Sequence, residues 1–240
     1  MKRSVIFLCI ALFIFLVVQP NLNQTFSDKD IKVPEKDPAN VITNAALLNQ
    51  TCKSHATICI DPARGGEDYG YTSTGHIAEK DINLAIAQAL GKELEQSGYQ
   101  VIYTRSDDNI AQYDSELAAS QARLALAKES GADYLISIQQ SSDTNSLIQG
   151  FSLFTQPDEK ISKLAKGIAA ELREINFTQF EGIDNDHYSN FPILSDRDLP
   201  SVIVDLGYLS NTDDYEKLAD EEYQKRIGTA IASAFLKDVN

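Results

Sequence analysis

Chain breakers are scarce in this sequence. Twelve glycines and seven prolines in 240 residues exclude a collagen-like or low-complexity chain. Positive charge is scarce as well. Lys and Arg number 21 against 35 Asp and Glu, for a net charge of −14. Lys2 and Arg3 are the only charges before Asp28, so the rest of the chain carries 19 basic and 35 acidic residues, a net −16. Phosphate neutralisation needs a basic face, so no nucleic-acid partner is expected. No internal repeat is visible. No lysine-containing phosphate loop follows Gly65-Gly66, and no Gly-x-Ser-x-Gly elbow surrounds Ser137, Ser141 or Ser142. Phosphate binding and serine nucleophile chemistry therefore lack support.

One uncharged apolar run is present, Ser4 to Val18, behind Met1-Lys2-Arg3. Its length suits a signal-peptide core and falls short of the roughly 20 residues of a spanning helix. No small-x-small cleavage site stands out near Gln19-Pro20-Asn21. Residues 1–20 therefore read as a cleaved signal peptide or an uncleaved amino-terminal membrane anchor. Either places the remainder outside the cytoplasm, with membrane contact only through that segment. Cys52 and Cys59 form an even pair in an exported region, so a disulfide is permitted. Cys59 also lies in an apolar strand pattern that suits a buried thiol, and both readings stay open.

Residues 21–54 are polar, carry Pro34 and Pro38, and read as a linker with a short helix near Val41–Gln50. Residues 55–240 read as one domain of alternating strands and helices. Strands are expected at Thr57–Ile60, Tyr99–Thr104, Asp133–Ile138, Phe151–Thr155, Phe191–Leu194 and Ser201–Asp205. Helices are expected at Asp81–Gln96, after an Asp114 cap up to Gly131, from Pro157 to about Ile175, at Asp213–Ala219 and at Glu221–Lys237. Such alternation implies an α/β fold with a mostly parallel sheet and helices on both faces. Function gathers at the carboxyl edge of such sheets. There Asp61–Gly66, Gly75–Lys80, Gln139–Ser142 and Asp205–Gly207 should converge.

Five segments in order carry a family resemblance. They are Asp61-Pro62-Ala63-Arg64-Gly65-Gly66, Glu79-Lys80-Asp81-Ile82-Asn83-Leu84, Thr104-Arg105-Ser106-Asp107, Ser137-Ile138-Gln139, and Leu199 through Asn211. With them the chain resembles the zinc-dependent N-acetylmuramoyl-L-alanine amidases of bacterial cell walls, from about Thr57 to Leu236. The resemblance implies an amidase-like single domain, a peptidoglycan stem-peptide substrate, and a zinc site of His, Glu and His with a catalytic Glu. Carried over by position, those four become Arg64, Glu79, Gln139 and Asp205. Arginine has no free lone pair to give a metal. Glutamine is a weak carbonyl donor, and Asp205 is one methylene shorter than the family's glutamate. Ala63 stands where the family has glycine. Arg123 matches a family arginine and reads as a structural ion-pair residue.

The resemblance with these substitutions points to a catalytically inactive member that binds peptidoglycan or regulates another cell-wall enzyme, with no metal cofactor. Arg64 is expected to lie with its nitrogens within roughly 4 Å of Glu79, and in reach of Asp205. The competing expectation is an active amidase whose zinc is held by His76, Glu79 and His187. A solvated loop position is the simpler reading of each of those histidines, and His55 reads as linker. Only 11 residues separate Ile138 from Gly150, which leaves no room for the long inhibitory helix of some family members.

Overall fold

The computed structural model of the protein describes residues 56–72, 75 and 77–239. The expected leader, linker and 41–50 helix, together with Cys9, Cys52, His55 and His76, lie outside the described residues. In chain order the elements are β1 (Thr57–Pro62), α1 (Glu79–Gln96), β2 (Gln100–Tyr103), α2 (Glu116–Glu129), β3 (Tyr134–Ser141), β4 (Phe151–Thr155), α3 (Glu159–Glu174), β5 (Phe180–Asp184), β6 (Ser201–Tyr208), α4 (Thr212–Leu218) and α5 (Glu221–Asp238). Among the described residues no helix is long and apolar enough to cross a membrane.

One six-stranded sheet runs in the order β2-β1-β3-β6-β4-β5. β2, β1, β3 and β6 are mutually parallel. β4 runs antiparallel to β6, and β5 follows β4 in parallel. The central strands are apolar on both faces because both faces are covered. Ile58, Ile60, Ile136 and Val202 point into a large core with α1, α3 and α5. Cys59, Leu135 and Ile203 point into a smaller core under α2. Helix α5 crosses α1 closely at Gly228, where a Cβ would stand 2.7 Å from the Leu90 nitrogen.

Local chemistry explains the helix starts. Ser115, Asp158 and Asp220 each accept a bond from a backbone N–H three residues on, which satisfies an otherwise orphan donor. Ser115 rather than Asp114 caps α2, and Pro157 stands outside α3, before its Asp158 cap. The segment expected as a strand at Phe191–Leu194 is instead a 3-10 turn at Pro192–Leu194, next to another at Tyr188–Asn190. Pro192 has no N–H to give a ladder, so it opens the turn. Strand β5 was not expected. Its sequence Phe-Glu-Gly-Ile-Asp lacks β-branched alternation, and it survives as an edge strand that pairs on one side.

Candidate functional site

The parallel strands end together, and the loops that follow them meet. β1 runs into a tight turn at Ala63 and Arg64. Arg105 builds the floor of that turn. Its buried guanidinium donates to the carbonyls of Pro62 (2.9 Å), Ala63 (3.2 Å) and Lys80 (2.8 Å). Asn83 Nδ2 adds a bond to the Ala63 carbonyl at 3.0 Å. Arg64 follows with φ of 66°, a left-handed conformation that costs a non-glycine residue roughly 1–2 kcal/mol. Its side chain finds partners that offset this cost. Nε lies 3.3 Å from Glu79 Oε1, and Nη1 lies 3.1 Å from Glu116 Oε2 and 3.4 Å from Asp68 Oδ2. Burial by itself would lower the Arg64 pKa, but Glu79, Glu116 and Asp68 together hold it above its ordinary value.

Glu79 opens α1, where the helix dipole favours a carboxylate. No side chain caps this helix. The loop carbonyls of Tyr71 and Tyr69 instead accept from the Glu79 and Lys80 N–H groups, at 3.1 and 3.3 Å. The Glu79 carboxylate is thereby free to face the site. It is almost fully buried and accepts from Arg64, from Tyr71 N at 3.0 Å and from Gln140 N at 3.5 Å. Only glycine fits at position 70, since φ is +63° and a Cβ would fall 2.2 Å from Glu79 Oε2.

Gln139 and Asp205 are register partners on β3 and β6, so their side chains share a face. Gln139 Nε2 donates to Asp205 Oδ2 at 3.2 Å, Ser141 Oγ donates to the same oxygen at 2.7 Å, and Gly207 N reaches Oδ1 at 3.4 Å. The ladder is irregular between Gln139 and Ser141, and such a bulge re-aims side chains. Burial pushes the Asp205 pKa up to about 6 against the pull of these donors, with a further push from Glu79. Arg64 is therefore placed against Glu79, while Asp205 takes its hydrogen bonds from β3 and from its own strand.

Beneath the edge lies a second ionic layer. Asp61 is fully buried and accepts from Thr104 Oγ1 at 2.5 Å and Ser137 Oγ at 2.7 Å. Arg123 Nε stands 3.1 Å from Asp61 Oδ1. That N–H is aligned to no acceptor, so charge rather than a directed hydrogen bond holds the pair. Arg123 Nη2 also lies 3.4 Å from Glu116 Oε1. Arg123 thus holds the carboxylate that holds Arg64.

A cavity of about 720 Å³ opens on the α2 side of Arg64. Its walls include Asp68, Tyr69, Asp108, Tyr113 and Glu116. The acids there are close to half exposed, whereas Lys80 and Arg123 are mostly buried. The solvent-facing charge is therefore acidic. Gln139 and Asp205 do not line this cavity. Glu116, Asp68 and Asp108 carry no signal in the sequence, because their role comes from loops far apart along the chain.

His187 does not reach this edge. β4 runs opposite to β6 and β5 follows it, so the loop after β5 emerges toward the amino edge of the parallel strands. There His187 Nδ1 lies 2.8 Å from Asp184 Oδ2 on an exposed surface. Of the expected His76, Glu79 and His187 set, Glu79 and His187 thus stand at opposite edges of the sheet, and His76 lies outside the described residues. Cys59 is a buried free thiol in the smaller core, and burial pushes its pKa up to about 12.

Residues 58–237 match the N-acetylmuramoyl-L-alanine amidase family, and the chain belongs to that family. Among its relatives is the uncharacterised protein YqiI of Bacillus subtilis, 32% identical over 180 residues, covering 74% of this chain and 82% of YqiI. The amidase AmiC of Neisseria meningitidis is 26% identical over 223 residues, 76% of this chain but 52% of AmiC. The chain thus spans about half the length of that relative. The structure of the CwlD amidase from Clostridioides difficile, solved in complex with the GerS lipoprotein, superimposes with a TM-score of 0.68 at 31% identity. It covers 77% of this chain and 98% of that one.

The family resemblance implies zinc, and the residues at the matching positions do not fit it. Position 64 offers a cation without a lone pair. Its Nε already lies against Glu79. The Gln139 amide is turned so that its nitrogen faces Asp205. Structural and catalytic zinc sites use three or four thiolate, imidazole or carboxylate donors. Among the described residues no group of three or more His, Cys, Asp or Glu side chains is arranged to hold a metal ion.

Proposed function

We propose that this protein is a non-hydrolysing member of the amidase family that works outside the cytoplasm and binds peptidoglycan through its stem peptide. One observation carries the reading. A guanidinium stands against Glu79 at the position where the family resemblance puts a metal-holding imidazole. Without a metal to polarise an amide carbonyl and activate water, the edge lacks the means for hydrolysis at neutral pH. It keeps what binding needs: a rigid turn, an open cavity beside Arg64, and Tyr69 and Tyr113 on its rim. Aromatic and polar groups over a rigid floor suit recognition of a sugar-linked peptide.

A second reading assigns the same edge to a protein partner, another cell-wall enzyme among them. The complex of CwlD with the GerS lipoprotein supports it, because a chain of this fold is held there by another protein.

The test uses the full-length protein grown with added zinc. The reading expects no stoichiometric zinc, no stem peptide released from purified sacculi, and sedimentation of the protein with those sacculi. Arg64→His, Gln139→His and Asp205→Glu introduced together are expected to bring back zinc binding and hydrolysis. Zinc near one per chain in the unaltered protein, with hydrolysis lost on chelation, would establish an active amidase instead. Failure to sediment would favour the protein-partner reading.

A further inference from the structure

Two large aromatic side chains stand open to water on one cavity. Tyr69 is 54% exposed and Tyr113 is 41% exposed. They come from the loops after β1 and after β2, and both line the cavity of about 720 Å³. The two loops are tied to each other. Gln112 Nε2 donates to Glu67 Oε2 at 2.6 Å, and Gly66 N donates to Asp108 Oδ1 at 2.7 Å. The Tyr69 ring is also fixed from one side. Lys80 Nζ lies 3.9 Å from the ring centroid, an attractive contact for a cation over an aromatic face. Lys80 is nearly buried and is itself held by the Gly66 carbonyl and by Asp108. One face of the ring thus rests on the protein, and its exposed part is the other face and the rim. The cavity walls add acceptors beside it. Asp68, Asp108 and Glu116 are close to half exposed, and each already meets a protein cation: Arg64 for Asp68 and Glu116, Lys80 for Asp108. A carboxylate offers about four lone-pair positions, so these acids have their countercharges and keep room for further donors.

We propose that this cavity is a sugar subsite. It takes a neutral pyranose of an N-acetylated glycan, with the apolar ring face on Tyr69 and the hydroxyls donating to Asp68, Asp108 or Glu116. A pyranose presents C–H groups on its face and hydroxyls around its rim. An aromatic plane covers the first, and carboxylates accept charge-assisted hydrogen bonds from the second. A peptide with free carboxylates would meet like charge at the same walls. The cavity lies within the roughly 300–1,000 Å³ of small-molecule sites. Its cross-tied loops and fixed ring lose little freedom when a ligand arrives. The inference rests on the wall-binding reading and names the part of the wall polymer that the cavity holds. The stem peptide is left to the edge at Gln139 and Asp205, which lie outside the cavity.

The experiment is titration calorimetry of the full-length protein with a soluble N-acetylglucosamine tetramer and, separately, with a soluble stem tetrapeptide. Sedimentation with purified sacculi runs beside it. The unaltered protein should bind the tetramer and sediment with sacculi. Tyr69→Ala should bind the tetramer about 10-fold more weakly, the loss of one stacked aromatic contact. Tyr69→Phe keeps the ring and should stay within about 2-fold of the parent. If Tyr69→Ala does not fold, Tyr113→Ala carries the same comparison. Equal tetramer binding by the parent and the alanine variants overturns the proposal. So does an equal loss of tetrapeptide binding in Tyr69→Ala, which would give the cavity to the peptide. Sedimentation with sacculi but no binding of the tetramer overturns the sugar subsite and leaves wall binding standing. Failure of both overturns the wall-binding reading as well.

Discussion

Arg123→Met probes the ionic layer beneath the site. The substitution keeps the apolar stem and removes the guanidinium. Asp61 is 0% exposed and Arg123 is 13% exposed, so the loss is asymmetric. The carboxylate left behind keeps bonds from Thr104 and Ser137 but loses the cation in direct contact with it, keeping only the more distant pull of Arg105. Breaking a buried pair in this way costs about 3–5 kcal/mol, or a Tm lower by about 6–20 °C for a domain of this size. Asp61→Asn should cost less, because Arg123 can still turn to Glu116. The double variant should be more stable than the sum of the singles by at least about 1 kcal/mol, as contacting charges couple. Urea or thermal unfolding of all four proteins completes the cycle. A loss under about 1 kcal/mol for Arg123→Met, or coupling below about 0.5 kcal/mol, would show that this pair does not hold the floor of the site.

Asp205 should make stability rise as pH falls. Its folded pKa of about 6 lies above the ordinary 3.8, so protons bind the folded form first between those values. The penalty at pH 7 amounts to at most about 3 kcal/mol, relieved as pH drops through 6 toward 4. Unfolding at pH 7 and pH 5 should show this gain in the parent and a flatter response in Asp205→Asn; equal slopes would place the ionised group elsewhere. Cys59 should resist iodoacetamide in the folded protein at pH 8, because the thiol is fully buried and its pKa is pushed up to about 12. Quick alkylation under native conditions would contradict that packing, whereas labelling in urea is expected.

Strands and helices were legible wherever period and chemistry agreed. The apolar runs around Ile58, Ile136 and Val202 are the signature of strands covered on both faces, and the Ile82–Leu94 stripe marks α1. The five short segments by themselves imply that Arg64, Glu79, Gln139 and Asp205 meet at one sheet edge. Legibility ended where local signals were weak or misleading. Phe-Pro-Ile-Leu at 191–194 looks apolar enough for a strand, yet Pro192 turns it into a 3-10 turn. The β5 segment has a glycine and two acids among five residues and pairs only at the sheet edge.

The sequence alone determined that position 64 carries a permanent cation and that no metal-ligating imidazole stands at positions 64 or 139. Those are properties of side-chain chemistry and need no fold. The tertiary structure decided what that cation touches. Glu116 and Asp68 reach Arg64 because the β1 and β2 loops close over one cavity, and no spacing along the chain encodes such a meeting. The reversal of β4 decided that His187 lies at the far edge. Composition and period are local and can be read directly, whereas strand order and direction arise from packing the whole sheet, and they alone determine which distant loops become neighbours.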